Sequence, residues 1–510
     1  MRHYTICFML TFFLSGCLSL PSLENRTESR YLDVPASKRL TAALKSTAKS
    51  NQDWAEDTSG IYILDDAHDA FVARATLIDS ADHTLDLQYY IWHNDVSGKI
   101  LFNMLHRAAV RGVRVRLLLD DNNTNGLDNV LAALNSHPNI EIRLFNPFLN
   151  RKWRALGYLT DFPRLNRRMH NKTLTADNHA TILGGRNIGD EYFNISADTA
   201  FADLDILATG RVVSEVSEDF DRYWASDSAY PLERIVRRAN IDKGWKALEI
   251  GDDDKNRILA GYRHDLEQSK LFEAIKNNQL EWRYVKTKLV SDDPSKGLNR
   301  DRNKPQISEK IDEALGSPEQ EIYLVSPYFV PTKEGTEAIA DLVRQGVKVT
   351  VLTNSLQATD VAAVHSGYAR YRKPLIKAGV ELYELKANHA VPKSKDRGLT
   401  GSSSTSLHAK NFIVDKQRVF IGSFNLDPRS ARLNTEMGVV IENPDLAKTM
   451  QGKLQQTTPA YAYKVTLNPN NKLQWQDPED GTVSSKEPEA GFWKRITVKI
   501  LSVLPIEGLL

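Results

Sequence analysis

Cysteine is nearly missing from this chain: only Cys7 and Cys17 occur in 510 residues, both at the extreme N-terminus. The rest of the chain therefore has no disulfide, no CxxC zinc site and no thiol nucleophile. An excess of either charge is missing too. Lys+Arg number 66 against Asp+Glu 65, a formal net charge of +1. A general nucleic-acid binder ordinarily carries a basic excess, so that class is disfavoured, although a local basic groove is not. Long apolar runs are scarce. The C-terminal stretch 492–505 is interrupted by Lys494, Arg495 and Lys499 and is too short to span a bilayer. What remains is 41% hydrophobic and 26% charged, at a length that permits a large core and implies two or three domains.

Two stretches alternate strand and helix signals. Ala70, Phe71, Arg74, Leu77 and Ile78 keep helical spacing, a strand pattern covers 84–92, a second helix runs over 100–109, and a strand follows at 113–119. The order returns with a strand over 321–326, a helix over 336–344 and a strand over 347–352. Arg111-Gly112-Val113-Arg114-Val115 matches Gln345-Gly346-Val347-Lys348-Val349, 234 positions on. The chain is an internal duplication of an α/β unit with a largely parallel sheet.

The chemistry lies in a second pair of repeats. His170-Asn171-Lys172 leads to Asp177, with Gly184 and Asn187 downstream. His408-Ala409-Lys410 leads to Asp415, with Gly422 and Asn425 downstream. Every one of these residue types recurs at a constant offset of 238. A single HxKxxxxD arises by chance, whereas two in register with a duplicated fold are specific. In extended chain, residues two apart share a face, which puts His170 with Lys172 and His408 with Lys410. The glycines permit close backbone approach. Two halves brought together surround one point with four cations or potential cations and two amides, a setting suited to a phosphodiester.

These motifs resemble the phospholipase D superfamily over about residues 59–455. The resemblance implies two α-β-α sandwich domains, packed about a pseudo-two-fold with a shared active site. One histidine attacks phosphorus and forms a phosphohistidine, and the other serves as general acid and then base. By family position His170 is the nucleophile and His408 the acid/base, although the residues alone do not assign the roles. Lys172, Lys410, Asn187 and Asn425 bind the phosphoryl oxygens. Asp203 and Glu436 are the candidates to orient the histidines. Asp177 and Asp415 complete the motifs and are counted with the catalytic residues, although holding loops is the simpler role for them. His179 has no counterpart in the second half and reads as structural. No metal and no cofactor is implied.

Leu85-Asp86-Leu87-Gln88-Tyr89-Tyr90-Ile91-Trp92, Arg164-Leu165-Asn166-Arg167-Arg168-Met169-His170 and Phe424-Asn425-Leu426-Asp427-Pro428-Arg429-Ser430 resemble a narrower group, the bacterial cardiolipin synthases of the C type. That resemblance implies phosphatidyl transfer onto phosphatidylglycerol, with phosphatidylethanolamine a possible donor. A phospholipase D hydrolysing phospholipids to phosphatidic acid needs the same residues and is the alternative. A nuclease or an inactive lipid-binding scaffold fits the fused, intact halves less well.

The N-terminus has a basic start, an apolar run over 6–14, and Leu14-Ser15-Gly16-Cys17, which resembles a bacterial lipoprotein box. That implies a signal peptide over 1–16 and lipidation at Cys17. Leu18 rather than Asp after it points to the outer membrane of the cell envelope. The expected organisation is then a tether over 17–58, a first domain over 59–228, an insertion over 229–303, a second domain over 304–455, and a hairpin with an amphipathic tail over 456–510. The acid runs at Asp252-Asp253-Asp254 and Ser291-Asp292-Asp293 read as solvated loops, and Asp120-Asp121-Asn122-Asn123 as a turn that can make active-site loop contacts. The tail fits a helix lying on a membrane surface and equally one docked on the protein.

Overall fold

The computed structural model describes residues 19–35, 37–45, 57–195, 199–249, 269–301, 303–387 and 404–510. The signal segment, Cys17 and the acid run at 252–254 lie outside these residues.

Each half builds its sheet in the same way. In the first, the parallel strands Thr84–Tyr89, Arg114–Asp120 and Ile140–Phe145 are followed by the antiparallel hairpin Thr173–Ala176 and Ala180–Gly184, then Asp205–Gly210 and Thr58–Leu64. In the second, Glu321–Val325, Lys348–Asn354 and Glu381–Leu385 are parallel. The hairpin Asn411–Val414 and Arg418–Gly422 follows, then Met437–Glu442 and Arg283–Ser291. The two orders are mirror images about one seam, where Thr58–Leu64 pairs antiparallel with Arg283–Ser291. An antiparallel pair is itself two-fold symmetric, so this seam makes one continuous 18-stranded sheet with a pseudo-two-fold through its middle.

Side chains alternate across this sheet. Leu117 and Leu119 point into the core under the helices Ala67–Ser80 and Val96–Val110, while Leu118 packs against Phe220 and Trp224 of the helix Arg211–Trp224 on the other face. Helix Pro444–Tyr461 is the counterpart of Arg211–Trp224 and buries Leu446 and Ala447. Helices thus cover both faces, the α-β-α arrangement expected.

The domain boundaries differ from expectation in three places. The stretch 229–303, read as an insertion, supplies Ala229–Pro231 as the edge strand of the first half and Arg283–Ser291 as the seam strand of the second. Its charges hid the strand because Arg283, Lys286 and Lys288 are exposed, while only Val285, Val290 and Ser291 are buried. The tether is not free over residues 19–35 and 37–45. Thr27 and Ser29 offer carbonyls to the buried Arg143 and Arg116, Arg26 caps Ser226, and Leu40 is buried. Buried guanidiniums require acceptors, and this polar segment provides them. At the other end, the expected hairpin forms from Ala462–Leu467 and Leu473–Gln476 and extends the sheet beyond Glu381–Leu385.

Candidate active site

The extended segments 169–172 and 408–410 run into the strands Thr173–Ala176 and Asn411–Val414. Each is pinned by the opposite half. The His170 N–H donates to the Thr435 carbonyl at 2.8 Å, and the Thr435 N–H donates to the Arg168 carbonyl at 2.8 Å. Likewise the His408 N–H donates to the Ala202 carbonyl at 2.8 Å, beside the parallel pair Thr199–Ala202 and Ser404–Leu407. The next residues along those partner segments are Glu436 and Asp203. The crossing therefore delivers each carboxylate to the other half's histidine.

His170 Nδ1 lies 2.8 Å from Glu436 Oε2, and His408 Nδ1 lies 2.5 Å from Asp203 Oδ2. With Nδ1 engaged, Nε2 is the ring nitrogen left for chemistry. Burial pushes His170 down to about 4, helped by Lys172 and opposed by Glu436. His408 is also lowered, by burial and Lys410, against the pull of Asp203. Burial alone raises a carboxylate, yet His408 and Lys410 hold Asp203 below its usual range, and His170 does the same for Glu436.

Lys172 and Lys410 donate back to the carbonyls of His170 and His408. Burial drives Lys172 down to about 7 and lowers Lys410 as well. Negative charge placed near such lysines favours their ammonium forms. Asn187 is held by the Ile91 N–H at 3.1 Å and by donating to the Tyr192 hydroxyl at 2.9 Å. Asn425 Oδ1 is buried without a partner. The cleft above measures about 430 Å³, and His170, His408, Asn187 and Asn425 all line it. Alternation splits the adjacent aromatics Tyr89-Tyr90 and Tyr328-Phe329 at two strand ends: Tyr90 and Tyr328 line the cleft, while Tyr89 and Phe329 are buried in the cores.

Asp177 and Asp415 do not join this cluster, which corrects their grouping with the catalytic residues. The Asp177 carboxylate accepts the N–H groups of Asp82, His83 and Thr84 at 2.7–2.9 Å. Asp415 accepts those of Glu319, Gln320 and Glu321. Thr84 and Glu321 begin their strands, and the cleft lies at the strands' other ends. These aspartates anchor the motif hairpin to the neighbouring strand. His179 sits in the same turn, with Nδ1 2.6 Å from the Asp177 carbonyl.

Three contributors were not assigned from sequence. Ser423 donates its hydroxyl to Glu436 at 2.5 Å. Its counterpart at the 238 offset is Gly185, where a Cβ would collide with the Asp203 carboxylate. The shorter Asp needs the backbone to approach and so needs glycine, while the longer Glu leaves room for a hydroxyl. Comparing the two halves position by position would have found this difference. Asp292 is no solvated loop residue. It is 1% exposed, pairs with Lys296 at 2.8 Å and accepts the Glu436 N–H at 3.0 Å. Asp120, at the end of its strand, accepts the Met169 N–H at 2.8 Å, as Asn354 accepts that of Leu407 at 3.0 Å.

Two histidines, each oriented across a pseudo-two-fold by the other half's carboxylate and both lining one cleft, define a two-half protein of the phospholipase D class. The family profile "Cardiolipin synthase, PLD-like domain" matches residues 75–224 and 311–458, and the chain belongs to that family. It is 47% identical over 457 residues to cardiolipin synthase C of Escherichia coli K12, covering 88% of this chain and 96% of that one. It is 25% identical over 419 residues to cardiolipin synthase A of Pseudomonas entomophila, covering 81% and 71%. Among solved structures, phosphatidylserine synthase of Haemophilus influenzae Rd KW20 superposes with a TM-score of 0.57 at 15% identity, over 93% of this chain and all of that one. This last likeness concerns the fold.

Proposed function

We propose that this chain is a phosphatidyltransferase of the cardiolipin synthase type. His170 Nε2 attacks the phosphorus of a donor phospholipid while His408 gives its proton to the leaving headgroup alcohol. His408 then takes the proton of a phosphatidylglycerol hydroxyl. That oxygen attacks the phosphohistidine, His170 leaves, and cardiolipin is released. The nucleophile must be neutral when the acid is protonated. Both imidazoles are lowered, so the roles follow family position, and the observation that carries the reading is the pair of histidines oriented from opposite halves. Lys172, Lys410, Asn187 and Asn425 hold the phosphoryl oxygens. Phosphatidylethanolamine is a further candidate donor, and no metal or cofactor takes part. The test is lipid mass spectrometry of the protein with vesicles of both lipids. Wild type yields cardiolipin, and His170→Ala and His408→Ala each lower it by ~1000-fold or more. Phosphatidic acid alone would identify a hydrolase instead.

The site works at a membrane surface in this reading. Among the described residues no helix is long and apolar enough to cross a membrane. Large apolar side chains nevertheless stand exposed beside the cleft: Leu156, Leu159 and Phe162 next to the lining residues Tyr158 and Leu165, and Phe492, Trp493 and Val503 around the terminal helix Phe492–Leu501. That helix docks through Val498 onto Ala362 and Leu356 and leaves much of its apolar surface outward. The N-terminal sequence supports anchoring through acylated Cys17 in the bacterial envelope, facing the periplasm at the outer membrane. Cys17→Ser, followed by membrane fractionation and mass analysis of the N-terminus, tests this. Loss of an acylated N-terminal peptide is expected, and an unmodified wild-type Cys17 refutes it.

A further inference from the structure

The catalytic cluster obeys the pseudo-two-fold, but the cleft wall above it does not. At the offset of 238, Arg168 corresponds to Ser406 and Arg429 to Glu191. Both arginines line the cleft, and both bracket one turn. Arg168 Nε donates to the Leu165 carbonyl at 2.8 Å, while Arg429 donates to the Asn166 carbonyl at 3.1 Å and to Asn166 Oδ1 at 2.7 Å. Neither counterpart is among the residues lining the cleft, and Glu191 lies 3.2 Å from His93.

Arg168 is 3% exposed. Its Nη1 is committed to Asp120 at 3.3 Å and the Asn146 carbonyl at 3.0 Å, whereas its Nη2 is buried without a hydrogen-bond partner. An orphaned guanidinium nitrogen in a buried wall is costly unless something fills it, and an anion is what satisfies it best.

Transfer between two phospholipids brings two phosphates to one cleft. The lysine and histidine cluster accounts for the phosphate that reacts. The acceptor carries a second, three carbons from its free hydroxyl, which is neither made nor broken. We propose that Arg168 and Arg429 form a second, non-reacting phosphate subsite that holds the acceptor's phosphodiester while its hydroxyl reaches His408. The subsite rests on the transferase reading above and deepens it. It favours an acceptor bearing a phosphate over water or a plain polyol, and so disfavours hydrolysis.

The test uses the full chain in mixed micelles with a fixed donor and either phosphatidylglycerol or free glycerol as acceptor. In Arg429→Gln the ratio of the KM for phosphatidylglycerol to that for glycerol rises about tenfold, and products shift towards phosphatidic acid. Arg429→Lys recovers most of the loss, since charge is retained. Arg168→Lys shifts the ratio in the same direction. If Arg168→Lys does not fold, Arg429→Gln decides. An unchanged ratio, or an equal rise with both acceptors, overturns the subsite. If wild type cleaves donor but makes no cardiolipin, the transferase reading fails separately. Inhibition of hydrolysis by glycerol 3-phosphate then reads the subsite: about tenfold weaker inhibition in Arg429→Gln supports it, and equal inhibition overturns it.

Discussion

Single residues set the difference between the two histidines. Both half-sites carry His, Lys and Asn, but among the described residues Glu436 alone of the two carboxylates receives a side-chain hydroxyl, that of Ser423. Ser423→Ala removes one charge-assisted hydrogen bond and lowers kcat about 5- to 10-fold with KM changed less than about threefold. Steady-state kinetics with phosphatidylglycerol as acceptor check this. Burial lowers His170 from 6.5 to about 4. Between those values the unfolded chain binds a proton that the folded chain rejects. The contribution to stability is therefore complete above about pH 6.5 and is lost as pH falls towards about 4. His170→Gln removes that dependence. Denaturant unfolding at about pH 7 and about pH 4.5 should show the variant losing less stability than wild type, by on the order of 1–3 kcal/mol.

At the scale of elements, the strand-to-strand approach beside each motif is what aims the carboxylates. A Cβ at Gly422 would meet the Met437 carbonyl, a backbone atom that cannot swing aside. Gly422→Ala pushes Met437 and the neighbouring Glu436 away. It costs about 1–3 kcal/mol by thermal or chemical melt and lowers activity more steeply than an equally destabilising core change such as Ile311→Val. The helix and strand periods in 67–120 and 321–354 were legible because one apolar face repeats at 3.6 or 2.0. The seam strand Arg283–Ser291 was not, because its charged, outward positions mask a buried face that exists only once the partner strand is in place.

On the scale of the whole molecule, Leu159 is 82% exposed and Trp493 76%, and the proposed lipid contact runs through these two side chains. The double variant Leu159→Glu with Trp493→Glu binds phosphatidylglycerol vesicles about tenfold or more weakly in sedimentation assays, while its fold, read by circular dichroism, is retained.

The linear order of residues determined the duplicated α/β architecture and the six groups His170, Lys172, Asn187, His408, Lys410 and Asn425, because motif spacing and side-chain period are local properties that repeat at a fixed offset. Sequence also named Asp203 and Glu436, but not which histidine each serves. That pairing, the displacement of Asp177 and Asp415 to the far strand ends, and the gathering of Arg168 with Arg429 on one side were decided by tertiary structure alone. The physical reason is that each depends on contacts between segments far apart in sequence: the aspartates on the neighbouring strand of their own half, the histidine pairs and the arginines on chain crossing from one half to the other. Residues more than two hundred positions apart come within a hydrogen bond only when the antiparallel seam closes and the two halves share one sheet.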